Sequence, residues 1–193
     1  NYPEEWSPSV DAVMNFHARQ IILDLVNGKI SGPYSGRLLD QMITDTGIEP
    51  IMRSWILLDN HDTKRIATEI PDAANRHMAQ ILQFTVPGSP NLYYGAELGM
   101  VGGDDPASRA PMRWDIANDE NAEFTWMKKL IQIRKTSRAL KVGDFRLLPS
   151  EKVLAFMRRT DKVAETVVVL VNPTDAEVKD VIGIRESKLM NYG

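Results

Sequence analysis

Trp55-Ile-Leu-Leu58 is uninterrupted apolar, and the next four residues are Asp59, Asn60, His61 and Asp62. A strand buried on both faces, as in a parallel sheet covered by helices, reads as a continuous apolar run and carries polar groups only where it leaves the sheet. The abrupt change from leucine to two acids, an amide and an imidazole therefore predicts a buried strand over 54–58 whose end opens on a site. A second segment of this kind follows about one helix later. Gly88-Ser-Pro-Asn-Leu-Tyr-Tyr-Gly95 predicts a strand over 91–94, and Glu97 places another carboxylate just beyond it.

Helical spacing recurs between these strands. Val10–Met14 reads as a short strand, after which Ile21, Ile22, Leu25 and Val26 share a helical face that stops near Gly28. Leu38, Leu39, Met42 and Ile43 mark a helix after the Gly32-Pro33 turn, with Ser35 as its N-cap. Ala74, Met78, Ile81 and Leu82 give another behind Asp72, closed by Pro87-Gly88. A loop rich in Gly, Asp, Pro and Arg spans 99–114, and Phe124, Met127, Leu130 and Ile131 mark the next amphipathic helix. Such alternation predicts an α/β fold, with parallel strands and helices outside.

The texture changes near residue 140. Val153–Arg158 alternates like a strand, and Val167–Val171 is a β-branched run ended by Asn172-Pro173. The expectation is an α/β part over 1–139 followed by a small antiparallel β domain over 140–193. A closed (β/α)8 barrel takes about 250 residues, whereas only about 140 here carry the alternation. The α/β part is thus either a piece of a barrel or a smaller open sheet.

Composition narrows the partners. A chain of 193 residues that is 43% hydrophobic can bury a core, and a net charge of -3 with no Lys/Arg-rich run points to neither nucleic acid nor a membrane surface. No apolar stretch reaches the length of a membrane span, and an opening Asn1 in place of Met reads as a chain cut from something longer. The absence of cysteine excludes disulfides and Cys-ligated metals but leaves cytoplasm, periplasm and exterior open. No His cluster has metal-ligand spacing, and Gly102-Gly-Asp-Asp105 lacks the ligand set of a calcium loop. No cofactor is expected on these residues, and calcium in a longer parent enzyme is not indicated by them.

Leu58-Asp-Asn-His-Asp62, followed by Thr63 and Arg65, resembles the segment after the seventh barrel strand in the α-amylase superfamily of glycoside hydrolases. Gly88, Pro90, Tyr94, Gly95, Glu97 and Gly99 resemble its eighth-strand segment. Gly103-Asp-Asp-Pro106, Arg109, Pro111-Met112 and Trp114-Asp115 are similar to the following loop in the neopullulanase, cyclomaltodextrinase and oligosaccharide-glucosidase branches. Asp11-Ala-Val-Met-Asn15 resembles the sixth strand of the cyclomaltodextrinase type, and Leu130–Arg134 through Gly143-Asp-Phe145 the last barrel helix leading into a C-terminal β domain. The resemblance implies the last three βα units of a (β/α)8 TIM barrel plus a small antiparallel β domain.

It also implies a retaining enzyme acting on α-glucan oligosaccharides, in which a nucleophilic carboxylate and a protonated acid stand about 5–5.5 Å apart. In the superfamily these follow the fourth and fifth strands, so both are expected before Asn1. Glu4 and Glu5 do not match the acid/base segment and read as solvated surface. The fragment alone is expected to be inactive. Asp62 matches the carboxylate that stabilises the transition state, and His61 the histidine on the same sugar. Asp105 and Arg109 match a loop pair closing the sugar's non-reducing side. Asp59, Asn60, Arg65 and Glu97 are expected in support, with Glu97 accepting hydrogen bonds from loop amides. His17 and His77 sit in helical patterns without an evident partner and read as structural, while Trp6, Trp55, Trp114 and Trp126 read as core or rim packing. A barrel fragment should also self-associate through exposed core surface. The alternative is a non-catalytic amylase-like scaffold, such as the ectodomain of a transporter-associated subunit, against which the intact Asp59–Asp62 cluster argues.

Overall fold

The computed structural model describes residues 11–184. Helix α1 (Phe16–Val26) begins where the Asn15 side chain accepts the Ala18 N–H at 2.8 Å. Helix α2 (Gly32–Thr46) is capped by Ser31, whose hydroxyl accepts the Tyr34 N–H at 3.4 Å, and not by Ser35 as expected. Proline in a first helical turn sacrifices no hydrogen bond, so Gly32-Pro33 opens the helix instead of preceding it. Ser35 is buried inside that turn with its hydroxyl on the Gly32 carbonyl at 2.7 Å. A short helix, α3 (Ile48–Arg53), delivers the chain to strand β1 (Trp55–Leu57). One turn, α4 (Ile66–Glu69), and the longer α5 (Ala73–Thr85) follow, α5 being capped by Asp72, whose carboxylate accepts the Asn75 N–H at 2.8 Å.

The strands are shorter than the apolar runs suggest, and one is displaced. Strand β2 occupies Ser89–Asn91 and pairs in parallel with β1, Ile56 opposite Pro90. Ser89 donates to the Ser54 carbonyl at 2.8 Å, so the nitrogen of Pro90, next along, is turned to the free edge where a missing N–H is harmless. The expected strand at Val10–Met14 is reduced to one parallel bridge between Met14 and Trp55, flanked by hydrogen bonds to Trp55 from either side; Val10 lies outside the described residues. The Met14 segment, β1 and β2 thus lie side by side in parallel. Gln83 on α5 ties β1 to β2, donating to the carbonyls of Ile56 at 3.1 Å and Asn91 at 2.8 Å.

After helices α6 (Ala122–Thr136) and α7 (Arg138–Val142), strands β3 (Asp144–Leu147), β4 (Leu154–Arg159) and β5 (Thr166–Val171) form an antiparallel sheet in the order β3-β4-β5. The core does not divide near residue 140. Leu154, Phe156, Val169 and Val171 belong to the same buried cluster as Ile22, Leu25, Leu39, Ile56 and Leu58. Close approach requires Gly32, where a Cβ would overlap the backbone of Leu154. Alternation is expected over Val153–Arg158, yet β4 reads Leu-Ala-Phe-Met-Arg-Arg and is buried on both faces, because Val178 and Ile182 cover Ala155 and Met157. Asp180 holds that cover: it accepts the Ser150 hydroxyl at 2.7 Å and the Lys152 and Val153 N–H groups, and these bonds keep its carboxyl well below the usual carboxylate range. Buried Arg158 fastens the sheet to the end of α5, donating to the carbonyls of Thr85 and Gly143 at 2.7 Å each.

Candidate functional site

The chain leaves β1 at Leu57 and immediately turns polar. Asp59 is 2% exposed and its Oδ2 accepts the Ile66 N–H at 2.7 Å, so the carboxylate caps α4 from seven residues upstream. Burial pushes its pKa up from 3.8 to about 6, while the Ile66 N–H, Arg65 and Arg19 oppose the rise. Arg19, on α1, donates through Nε to the Leu58 carbonyl at 2.7 Å, which ties the strand end to the helix layer. Asn60 is also buried; its Oδ1 accepts the Asp62 N–H at 2.9 Å and its own N–H donates to the Thr63 hydroxyl at 2.9 Å. This closed turn leaves the intervening His61 and the following Asp62 on the surface, with side chains 51% and 65% exposed.

Four predicted residues meet there. His61 Nε2 lies 3.2 Å from Asp62 Oδ2, Arg109 Nη2 lies 3.4 Å from Asp62 Oδ1, and Arg109 Nε lies 3.5 Å from Asp105 Oδ1. Ion pairs this exposed contribute about 0–1 kcal/mol to folding. Their consequence is local: a carboxylate flanked by a guanidinium and an imidazole, open to solvent, able to accept hydroxyl hydrogen bonds and to face a developing positive charge.

Arg65 lies beneath this cluster. It is fully buried, with its guanidinium against the faces of the Tyr93 and Tyr94 rings, 4.9 and 4.6 Å from their centroids. Its Nη1 donates to the Tyr94 carbonyl at 2.6 Å and its backbone N–H to the Gly102 carbonyl at 2.9 Å. Two aromatic faces replace the hydration that a buried cation gives up. Tyr93 and Arg19 are absent from the expected site residues, and Tyr94 enters the sequence reading only through the eighth-strand resemblance, without a role. Gly95 itself takes φ +83°, and a Cβ there would strike Met100 and crowd the Arg65 guanidinium.

Other expectations meet the structure differently. Glu97 sits half-buried in the 3-10 turn Ala96–Leu98 and, among the described residues, receives no hydrogen bond from loop amides. His77 has partners after all: it stacks on Trp126 at 4.5 Å and its Nε2 lies 3.1 Å from Glu123 Oε1. Trp126 also donates to Gln80 at 2.9 Å. Trp114 is 77% exposed and Trp55 is 45% exposed, so neither is packed as core; Trp6 lies outside the described residues. Among the described residues no group of three or more His, Asp or Glu is placed to hold a metal ion.

Comparison with known proteins gives a consistent picture. Residues 7–166 match the family described as alpha amylase, catalytic domain. The chain is 32% identical over 167 residues to the cyclomaltodextrinase of a Bacillus species, covering 84% of this chain and 30% of that protein. It is 31% identical over 156 residues to neopullulanase 2 of Thermoactinomyces vulgaris, covering 77% of this chain and 26% of the relative. Among solved structures, a cyclomaltodextrinase superposes with a TM-score of 0.79 at 30% identity, over 89% of this chain and 30% of the other. The maltogenic amylase from S. marinus gives 0.80 at 28% identity, over 89% and 25%. The chain spans about a third or less of the length of these relatives.

Proposed function

We infer, from the premise that this chain belongs to the alpha amylase catalytic-domain family, that it is part of the active site of a retaining glycoside hydrolase acting on α-glucan oligosaccharides. Its parallel part corresponds to the last three βα units of a TIM barrel, and residues 140–193 to the small β domain behind them. The observation that carries this reading is the exposed cluster at the end of β1, where Asp62 is flanked by His61 and Arg109 at 3.2 and 3.4 Å. Ligands of parallel α/β folds bind at the carboxyl ends of the strands, which is where this cluster stands.

In this reading Asp62 stabilises the positive charge that builds at the anomeric carbon, a service delivered mainly in the transition state and therefore expressed in kcat. His61 hydrogen-bonds the same sugar, and Asp105 with Arg109 closes its non-reducing side. Asp59, Asn60 and Arg65 fix the turn that presents Asp62. The nucleophile and the acid/base belong to polypeptide beyond these residues, so the chain alone performs no turnover. Relatives named for cyclodextrins and pullulan support an α-glucan as substrate. Proton NMR of cyclodextrin or maltooligosaccharide hydrolysis by the longer polypeptide tests the reading: the α-anomer should appear first, and initial β-anomer, or hydrolysis by the isolated chain, contradicts it.

A further inference from the structure

The loop that carries Asp105 and Arg109 has little packing to hold it. From Gly103 to Asp115 Ser108 is its one buried residue, and most of the others are exposed. The loop is anchored at its entry, where Gly102 accepts the Arg65 N–H at 2.9 Å and donates to the Thr68 hydroxyl at 2.8 Å, and at its exit, where Asn121 Nδ2 donates to the Ile116 carbonyl at 3.2 Å. Between those anchors, among the described residues and apart from the local Asn118 Nδ2 bond to the Asp115 carbonyl at 3.4 Å, two side-chain hydrogen bonds connect the loop to the rest of the chain. One is the Arg109–Asp62 contact itself; the other is the Tyr94 hydroxyl donating to the Ala110 carbonyl at 2.7 Å. Ala110 is the residue next to Arg109.

We propose that Tyr94 is a positioning residue for the site: its hydroxyl, bonded to the Ala110 carbonyl, fixes the loop so that Arg109 reaches Asp62 and, with Asp105, grips the sugar. The inference rests on the glycosidase reading above. Tyr94 is suited to the task because its own position is over-determined. Its carbonyl accepts Arg65 Nη1 at 2.6 Å, its ring lies on the Arg65 guanidinium at 4.6 Å, and Tyr93 packs edge-on against it at 4.6 Å. Arg65 in turn belongs to the short segment that begins with Asp62. Asp62, Arg65, Tyr94, Ala110 and Arg109 therefore form a closed circuit in which the two site loops fix each other. One phenolic oxygen closes it.

A double-mutant cycle in the longer polypeptide tests this, reading kcat and KM on a maltooligosaccharide. Tyr94→Phe removes that oxygen and leaves the ring on Arg65. The loss of one hydrogen bond should lower kcat/KM about fivefold, mostly through KM. In an Arg109→Ala background the same change should matter by less than about 1.5-fold, because the residue it positions is gone. Equal losses in both backgrounds, or no loss in the parent background, overturn the positioning role. If Arg109→Ala alone leaves kcat/KM unchanged, the sugar-binding assignment itself falls, whatever Tyr94 does.

Discussion

The Asp59 carboxylate accepts the backbone N–H of Ile66 at 2.7 Å, so a buried acid at the end of β1 starts the helical turn that follows the site. The same burial raises its pKa to about 6, which makes this contact pH-dependent.

The sign follows from proton counting. Between the unfolded pKa near 3.8 and the folded value near 6, the folded chain holds a proton that the unfolded chain has lost. Stability contributed by this group is therefore present below pH 3.8 and is lost as pH rises through about 6; the difference amounts to at most about 3 kcal/mol. Asp59→Asn keeps an oxygen for the Ile66 N–H and cannot ionise. Urea unfolding at pH 4 to 7 should show the parent losing stability relative to this variant, and parallel curves for the two proteins would remove Asp59 from the explanation.

Much of this arrangement was legible in the sequence, for identifiable reasons. β1 shows itself because burial on both faces erases alternation, and Asp59–Asp62 because the change in polarity coincides with the strand's end. The four candidates His61, Asp62, Asp105 and Arg109 are joined in a chain of contacts, each within 3.5 Å. Strand β2 lies ahead of the segment expected for it because its paired residues are Ser-Pro-Asn, with no apolar pattern, while the apolar Leu92-Tyr93-Tyr94 follows outside the paired strand. β3, Asp144–Leu147, is too short and charged to announce itself. The Arg65–Tyr94–Ala110 chain joins residues 29 and 16 positions apart through a carbonyl, a ring face and a hydroxyl, none of which leaves a periodic trace.

Arg158 supplies a stability test far from the site. Its guanidinium satisfies carbonyls of Thr85 and Gly143 across the junction between α5 and the antiparallel sheet, and burial lowers its pKa to about 9, which still leaves it charged at neutral pH. Arg158→Ala strands those carbonyls and opens a void, a loss of about 3 kcal/mol. Chemical denaturation should report it; a loss under about 1 kcal/mol would mean that water replaces the side chain freely.

Gly95→Ala should be harmful for two reasons at once. The residue holds φ +83°, and the new methyl would meet Met100 and the Arg65 guanidinium. A destabilisation of about 1–3 kcal/mol is expected, accompanied by reduced activity in the longer polypeptide because Arg65 is displaced. Unchanged melting and activity would show that Arg65 has room to move.

The isolated chain should self-associate. Strand β2 pairs only with β1 among the described residues, and Trp55, half-exposed at the start of β1, lies on the same small sheet. Open strand edges beside apolar surface recruit further chains. Size-exclusion chromatography at micromolar concentration should show oligomers; a lone monomeric peak would speak against an incomplete barrel.

The central claim is that Asp62 meets the sugar when charge develops on it. Steady-state kinetics of Asp62→Asn in the longer polypeptide measures this most directly, since Asn preserves shape and removes the charge. The account predicts a fall in kcat of about 10²- to 10⁴-fold with little change in KM. A kcat within about threefold of the parent would contradict it, because transition-state electrostatics of this kind cannot be worth so little.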